Sequence, residues 1–113
     1  MTFTLYGLKN CDTCKKAIKA LEGAGETVTF VDIRAEADLP AKLPGWIDAV
    51  GAEALTNTRS ATWRRLDEAQ RAPATSDALG LLSENATLIK RPVIEAGDTV
   101  HVGWTKPVQE ALL

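Results

Sequence analysis

Residues 6–16 contain both cysteines of the chain, in the order Tyr6-Gly7-Leu8-Lys9-Asn10-Cys11-Asp12-Thr13-Cys14-Lys15-Lys16. The apolar run Phe3-Thr4-Leu5-Tyr6 before this segment predicts a strand, and the apolar spacing of Ala17-Ile18-Lys19-Ala20-Leu21 after it predicts a helix. We expect Gly7 and Asn10 to form the turn between them, which places Cys11 close to the helix N-cap. The cysteine pair therefore lies where a strand is followed by a helix.

This position favours a reactive thiolate at Cys11. The first backbone N–H groups of a helix lack internal partners, and together with the helix dipole they stabilise an anion. We therefore expect a depressed pKa for the Cys11 thiol. Cys14 follows one turn later on the same face, close enough to form a disulfide with Cys11 after modest adjustment. The pair predicts a redox or nucleophilic thiol site.

Three structural interpretations of the pair are weaker. Free cysteines are often plain core residues. A zinc site needs two more ligands, but the chain has no other cysteine and only His101, so we expect no metal. A structural disulfide would close a very small loop and is uncommon in the cytosol. The strand–helix setting of the Cys-x-x-Cys motif therefore favours thiol chemistry.

Length, composition and charge indicate one soluble globular domain. A chain of 113 residues with 45% hydrophobic and 25% charged residues can bury a single modest core. The net charge of −2 gives no electrostatic basis for direct nucleic-acid binding. No apolar run approaches the roughly 18 residues of a membrane span, and the N-terminus does not resemble a signal peptide. We therefore expect a cytoplasmic protein without membrane association.

The chain begins with a βαβ unit and continues into a helical middle part. The first helix should run from about Asp12 to Ala24, and the strand Thr27–Ile33 has apolar residues on both faces, which is typical of a buried strand. A right-handed crossover would make the first two strands parallel neighbours. Residues from about 34 to 85 are rich in Ala, Leu, Asp and Glu and predict helices. These helices are expected at Gly45–Val50 after Pro40 and Pro44, from about Thr62, and after the N-cap signal Thr75-Ser76-Asp77.

The last part predicts two strands and a helix. Residues Ala86–Ile89 should lead into a strand at Lys90–Glu95, Gly97-Asp98 should form a hairpin turn into Thr99–Gly103, and a helix should run from about Lys106 to Leu113. The order βαβ, helices, ββα resembles the thioredoxin fold. The predicted class is α/β, with a mixed β-sheet flanked by helices and a helical insertion, in a single domain over residues 1–113.

The sequence also resembles the arsenate reductase (ArsC)/Spx family of thioredoxin-fold proteins. The likeness rests on motifs spread over nearly the whole chain in the family's order: Tyr6-Gly7 through Cys11-Asp12-Thr13-Cys14-Lys15-Lys16, Asn57-Thr58-Arg59-Ser60, Trp63-Arg64-Arg65-Leu66, Leu88-Ile89-Lys90-Arg91-Pro92-Val93-Ile94 and Val102-Gly103-Trp104. The resemblance implies that Cys11 is the nucleophile, that Pro92 is a cis-proline facing it, and that Arg91 borders the site.

The resemblance also implies a set of substrate contacts. Arg91 would hold an oxyanion, or a carboxylate of a thiol cosubstrate, with paired N–H donors, and would stabilise the Cys11 thiolate. Arg59 is a second candidate for such a contact. Asn10 and Thr13, which lie beside Cys11 in the sequence, are further expected substrate-binding residues, together with Pro92.

Two departures from the arsenate reductases of this family move the chain toward its short, YffB-like branch. A third arginine is usual on the last strand, where this chain has Val102-Gly103-Trp104, and Cys14 is an additional cysteine. The branch implies a thiol-dependent oxidoreductase that reduces a disulfide, a mixed disulfide or arsenate. Glutathione is the expected cosubstrate, with glutaredoxin or thioredoxin as other electron donors, and no tightly bound cofactor is expected.

A regulator is the alternative. The Cys-x-x-Cys motif is also similar to that of Spx, a redox-sensing transcription regulator that binds RNA polymerase, and a Cys11–Cys14 disulfide would act as its switch. The chain ends at Leu113 without the extended C-terminal tail typical of Spx. We therefore expect an enzyme.

Overall fold

The computed structural model describes residues 2–113 and divides them into two compact units. The first unit contains residues 2–37 together with residues 91–113, and the second contains residues 38–90. The second unit coincides closely with the helical insertion predicted at about residues 34–85. That residues 1–113 form a single domain stays a prediction. In the described part of the chain, no helix is both long enough and apolar enough to span a bilayer.

A mixed four-stranded sheet forms the centre of the first unit. Its elements are β1 (Thr2–Gly7), α1 (Asp12–Gly23), β2 (Thr27–Asp32), β3 (Val93–Ala96), β4 (Thr99–Val102) and α8 (Lys106–Leu112). The strand order is β2-β1-β3-β4, with β1 and β2 parallel and the other two pairs antiparallel. This confirms the predicted α/β class, the thioredoxin-like order and the parallel pairing of the first two strands.

The core of this unit lies between α1 and the two central strands. One cluster of buried residues contains Phe3, Leu5, Cys14, Ala17, Leu21, Ile94 and Ala96. The three α1 members are spaced at three and four residues, which puts them on one helix face. Full burial of a leucine contributes about 1.5–3 kcal/mol, so this face fixes α1 on the sheet. Cys14 is therefore held in place by the core.

The strand β2 differs from the prediction. It was expected to be buried on both faces, but Thr27 and Thr29 are exposed and the other four residues are only half-buried. The reason is that β2 is an edge strand, paired with β1 alone. An edge strand keeps one side open to solvent, so apolar residues in the sequence do not by themselves ensure burial on both faces.

The second unit is helical, as predicted, but it has more and shorter helices. They are α2 (Leu39–Val50), α3 (Ala52–Leu55), α4 (Ala61–Arg65), α5 (Glu68–Arg71), α6 (Pro73–Ser76) and α7 (Ala78–Glu84), followed by a 3-10 turn (Ala86–Leu88). Ser60 caps α4 through the Trp63 N–H, and Asp77 caps α7 through the Gly80 N–H. These caps confirm the two predicted helix starts, whereas α3, α5 and α6 were not predicted.

The prediction that Pro44 precedes the first of these helices was wrong. Helix α2 begins at Leu39, well before the expected start at Gly45, and Pro44 lies inside it. A proline within a helix removes one backbone hydrogen bond and costs about 3 kcal/mol. The longer helix instead buries three large side chains, those of Leu39, Leu43 and Trp46. Burial of this size offsets the local cost.

The strand predicted at Lys90–Glu95, with Ala86–Ile89 leading into it, begins later in the structure. Residues Ala86–Leu88 form the 3-10 turn, Ile89 makes only an isolated bridge with Thr56, and β3 begins at Val93. Pro92 has no N–H to donate to a strand partner, which delays the start of β3. The hairpin turn is confirmed at Gly97, whose φ of 60° lies in the left-handed region that favours glycine.

Candidate active site

A tight turn joins β1 to α1 and fixes Cys11. The Leu8 carbonyl accepts a hydrogen bond from the Cys11 N–H at 3.1 Å, and Cys11 has the extended conformation of an N-cap residue. Asn10 lies in this turn, as predicted. Gly7 does not, because it is the last residue of β1 and its carbonyl accepts the Ile33 N–H at 2.9 Å. The assignment of Gly7 to the turn was therefore wrong.

The half-buried Cys11 thiol is a stronger acid than an ordinary cysteine. Burial alone would raise the pKa of Cys11. Hydrogen bonds to its sulfur from the Cys14 backbone N–H, the Cys14 thiol and the Arg91 side chain, together with the positive charge of Arg91, outweigh burial and lower that pKa. Cys11 is therefore the thiol that ionises first.

Cys14 has the opposite character. It is 1% exposed, and both cysteines are free thiols. Burial is the main cause that raises the pKa of Cys14 to about 12; the neighbouring Cys11 adds to it, while the Leu8 backbone and Arg91 act in the opposite direction. Cys14 therefore keeps its proton and donates it in a hydrogen bond to the Cys11 thiolate.

Arg91 and Pro92 bring a distant part of the chain to this turn. The Arg91–Pro92 peptide bond is cis, as expected, and Pro92 is buried, with its carbonyl accepting the Gly103 N–H at 2.8 Å. The half-buried Arg91 side chain reaches Cys11. A guanidinium beside a thiolate supplies a fixed positive charge with several N–H donors, which suits a carboxylate or an oxyanion.

The other predicted substrate contacts are Asn10, Thr13 and Arg59, and all three are exposed. Asn10 and Thr13 are exposed on either side of Cys11 in the sequence. Arg59 belongs to the helical unit, where its side chain is exposed and its backbone N–H donates to Asn57 Oδ1 at 3.1 Å. The structure thus brings Cys11, Cys14 and Arg91 together, while the roles of Asn10, Thr13 and Arg59 stay predictions.

Two residues of the site were not predicted. The Leu8 backbone forms a hydrogen bond with Cys14, and Gly7 leaves the space that the Cys14 side chain occupies. A Cβ atom added at Gly7 would meet Cys14 Sγ and would lie 3.3 Å from Cys14 Cβ. The available signal was a glycine at the end of a strand just before the cysteine motif, a position that reads equally well as a turn.

Comparison with known proteins identifies the family. A family model described as the ArsC family matches residues 6–111, and the chain belongs to this family. The predicted resemblance to arsenate reductase-type proteins is thereby confirmed. Membership makes the chain a thiol oxidoreductase-type protein with an α/β fold.

Individual relatives match the chain along nearly all of its length. An uncharacterized protein of Haemophilus influenzae is 38% identical over 109 residues, which is 96% of each chain. A solved structure named as a YffB protein is 34% identical, covers 98% of each chain and has a TM-score of 0.86. An arsenate reductase (ArsC) related protein from Brucella melitensis is 35% identical, covers 98% of this chain and 93% of its own, and has a TM-score of 0.77. These similarities are consistent with the YffB-like branch.

Proposed function

We propose that this protein is a glutathione-dependent thiol reductase in which the Cys11 thiolate attacks a glutathione mixed disulfide. The observation that carries the proposal is the opposite acidity of two cysteines in one helical turn, with Arg91 beside the more acidic one. Thiol–disulfide exchange proceeds through the thiolate, so the reaction needs one thiol that is ionised near neutral pH. The pKa of Cys11 is lowered toward that requirement, whereas the pKa of Cys14 is raised away from it.

The proposed reaction consists of two exchanges. The Cys11 thiolate attacks the glutathione sulfur of a mixed disulfide, the S–S bond breaks, and the substrate thiolate leaves and takes a proton from water. A second glutathione thiolate then attacks the glutathione sulfur now bound to Cys11, which releases glutathione disulfide and regenerates the Cys11 thiolate. In sum, a mixed disulfide and glutathione give a free thiol and glutathione disulfide.

Arg91 has two roles in this proposal. Its charge stabilises Cys11 both as the attacking thiolate and as the leaving group of the second exchange. A planar guanidinium suits a carboxylate of glutathione, and the exposed Asn10 and Thr13 would contact the same cosubstrate. Arg59 would be a second carboxylate or oxyanion ligand. Glutaredoxin or thioredoxin would be other electron donors, in the reducing cytoplasm that the sequence predicts.

The substrate that we propose is a mixed disulfide in preference to arsenate. The relative from Brucella melitensis is named as related to arsenate reductase, so arsenate has to be tested directly. The third arginine that is usual in such enzymes is replaced by Val102-Gly103-Trp104 in this chain. Fewer cationic donors would bind the arsenate oxyanion less tightly.

The test is turnover by the reduced protein with glutathione, NADPH and glutathione reductase, using a glutathionylated peptide and arsenate as paired substrates. Glutaredoxin and thioredoxin systems replace glutathione in parallel assays, and Cys11→Ser is the inactive control. We expect turnover of the peptide and little or none of arsenate. Arsenate turnover alone would assign the arsenate activity instead. No turnover of either, with a reversible Cys11–Cys14 disulfide, would favour the Spx-like regulator.

A further inference from the structure

We propose that Gly7 is a positioning residue of the thiol site, because its missing side chain leaves the space that holds the Cys14 sulfur beside Cys11. The proposal concerns how the reactivity of Cys11 is set, and only its consequence for turnover rests on the proposed function. Gly7 is not itself a reacting group. It fixes the position of the Cys14 sulfur, and Cys14 in turn stabilises the Cys11 thiolate.

The need for a glycine here is steric and not conformational. The glycines with a positive φ are Gly25, Gly51, Gly97 and Gly103, and Gly7 is not among them, so its backbone suits any residue. A Cβ atom at Gly7, however, would meet Cys14 Sγ directly and would come within 3.3 Å of Cys14 Cβ and 3.5 Å of Leu5 Cδ2. Gly7 is itself buried. The Cys14 side chain therefore occupies the space that a side chain at position 7 would need.

Neither backbone can move easily to relieve such a contact. Gly7 pairs with Asp32 in the parallel register of β1 and β2, and its carbonyl accepts the Ile33 N–H at 2.9 Å. Cys14 lies in α1, whose buried residues Ala17 and Leu21 pack in the same core cluster. Because close-packed cores resist displacement, the Cys14 Sγ atom would have to leave its present rotamer.

Displacement of Cys14 Sγ would change the chemistry of Cys11. The Cys14 thiol and backbone both form hydrogen bonds that favour the Cys11 thiolate. Side chains in a helix have few allowed χ1 rotamers, so a sulfur pushed away from β1 also loses its direction toward Cys11. An alanine at position 7 therefore removes the thiol hydrogen bond while leaving Cys11, Cys14 and Arg91 in the sequence.

Another glycine of the same unit offers a matched control. Gly23 lies at the end of α1, has an ordinary φ, and has no atom within 4 Å of an added Cβ. Gly23→Ala therefore adds the same methyl group to the same unit without a contact. It separates the effect of crowding Cys14 from the general effect of replacing a glycine.

The test is a double-mutant cycle read by the pH dependence of Cys11 alkylation with iodoacetamide in the full-length reduced protein. The variants are Gly7→Ala, Cys14→Ala, the double variant and Gly23→Ala. We expect Gly7→Ala and Cys14→Ala each to raise the pKa of Cys11. The double variant should show no rise beyond that of Cys14→Ala, and Gly23→Ala should match the original protein. This readout does not depend on turnover, so failure of the proposed enzyme activity would leave it intact.

Two results would overturn the proposal. An unchanged Cys11 pKa in Gly7→Ala would show that Cys14 keeps its hydrogen bond. If Gly7→Ala raised the pKa of Cys11 equally in the original protein and in the Cys14→Ala background, its effect would pass through the backbone and not through the Cys14 sulfur.

Folding gives a second measurement. If Gly7→Ala unfolds and the double variant folds, the contact with the Cys14 sulfur is demonstrated directly. If neither variant folds, Gly7 is required for a reason other than that sulfur, and the proposal fails.

Discussion

The first turns of α1 and α4 have the same N-cap backbone conformation, but their N-cap side chains differ in chemistry. Each follows an N-cap residue with extended backbone, Cys11 in one case and Ser60 in the other. In α4 the Ser60 hydroxyl serves the helix and the turn before it, because it accepts the Trp63 N–H at 3.1 Å and donates to the Asn57 carbonyl at 2.8 Å. Its single proton is donated to a backbone carbonyl, which is too weak a base to activate the hydroxyl.

The first turn of α1 is arranged for an anion instead. The Cys11 sulfur also accepts from the helix, through the Cys14 backbone N–H, but the Cys14 thiol and Arg91 act on it as well, and together these groups stabilise the thiolate. One of them, Arg91, comes from a segment far away in the sequence. The comparison teaches that a helix N-terminus favours a nucleophile when its N-cap side chain can become an anion and a distant cation faces it.

The largest expected effect is that of Cys11→Ser on turnover. A serine hydroxyl does not ionise near neutral pH and cannot form a mixed disulfide, so kcat/KM for a glutathionylated peptide should fall by more than about 10³-fold. Ser60→Ala, which removes the equivalent atom from the other helix, is the matched control and should retain full turnover. Substantial activity in Cys11→Ser would mean that the nucleophile lies elsewhere.

Removal of the distant cation should have the next largest effect. Arg91→Ala takes away a hydrogen bond and a charge that lower the pKa of Cys11, so that pKa should rise. Below the new pKa less thiolate is present, so the rate should fall by about 10- to 100-fold near pH 6–7 and recover partly as the pH rises. The pH profile of kcat/KM measures this.

Arg91→Lys serves as the control for that variant. It keeps the charge but loses the planar pair of donors, so it should restore part of the thiolate stabilisation but less of the affinity for glutathione. A pH profile that is identical in Arg91→Ala and the original protein would confine Arg91 to a structural role. Cys11 at the start of α1 would then resemble Ser60 at the start of α4, because no distant cation would activate it.

The parts of the fold that the sequence predicted correctly depend on local signals. The cap Asp77, the hairpin glycine Gly97 and the N-cap position of Cys11 each involve a few neighbouring residues. Local hydrogen bonds and allowed φ values decide such features almost alone. The pairing of Arg91 with Cys11 was expected only because the family resemblance implied it.

The errors share a different cause, which is tertiary packing. Helix α2 continues through Pro44 because its buried face outweighs one lost hydrogen bond, and β2 is half exposed because no strand covers its outer edge. Gly7 was assigned to a turn because nothing in the sequence shows that a buried cysteine lies against it. In each case the deciding contact is made by residues that a sequence window does not contain.

A smaller effect is expected for Cys14→Ser. Glutathione itself resolves the intermediate in the proposed reaction, so turnover should stay within about tenfold of the original when glutathione is supplied. The remaining loss would come from a weaker or misdirected hydrogen bond to the Cys11 thiolate. A complete loss would instead make Cys14 the resolving nucleophile. Mass spectrometry of the intermediate trapped in the original protein separates the two cases, because Cys11 bound to glutathione is expected there and a Cys11–Cys14 disulfide would indicate resolution by Cys14.

The smallest expected effect on catalysis, and the sharpest check of the comparison, is that of Ser60→Ala. The variant removes the α4 cap, and loss of a serine N-cap typically lowers the free energy of unfolding by about 1 kcal/mol. Urea denaturation should show this decrease, whereas kcat/KM for the glutathionylated peptide should not change. Asp67→Ala, which removes the capping box of α5, should behave in the same way. If Ser60→Ala lowered kcat/KM while Asp67→Ala did not, the result would support the proposed role of Arg59, the residue before Ser60, as a substrate ligand.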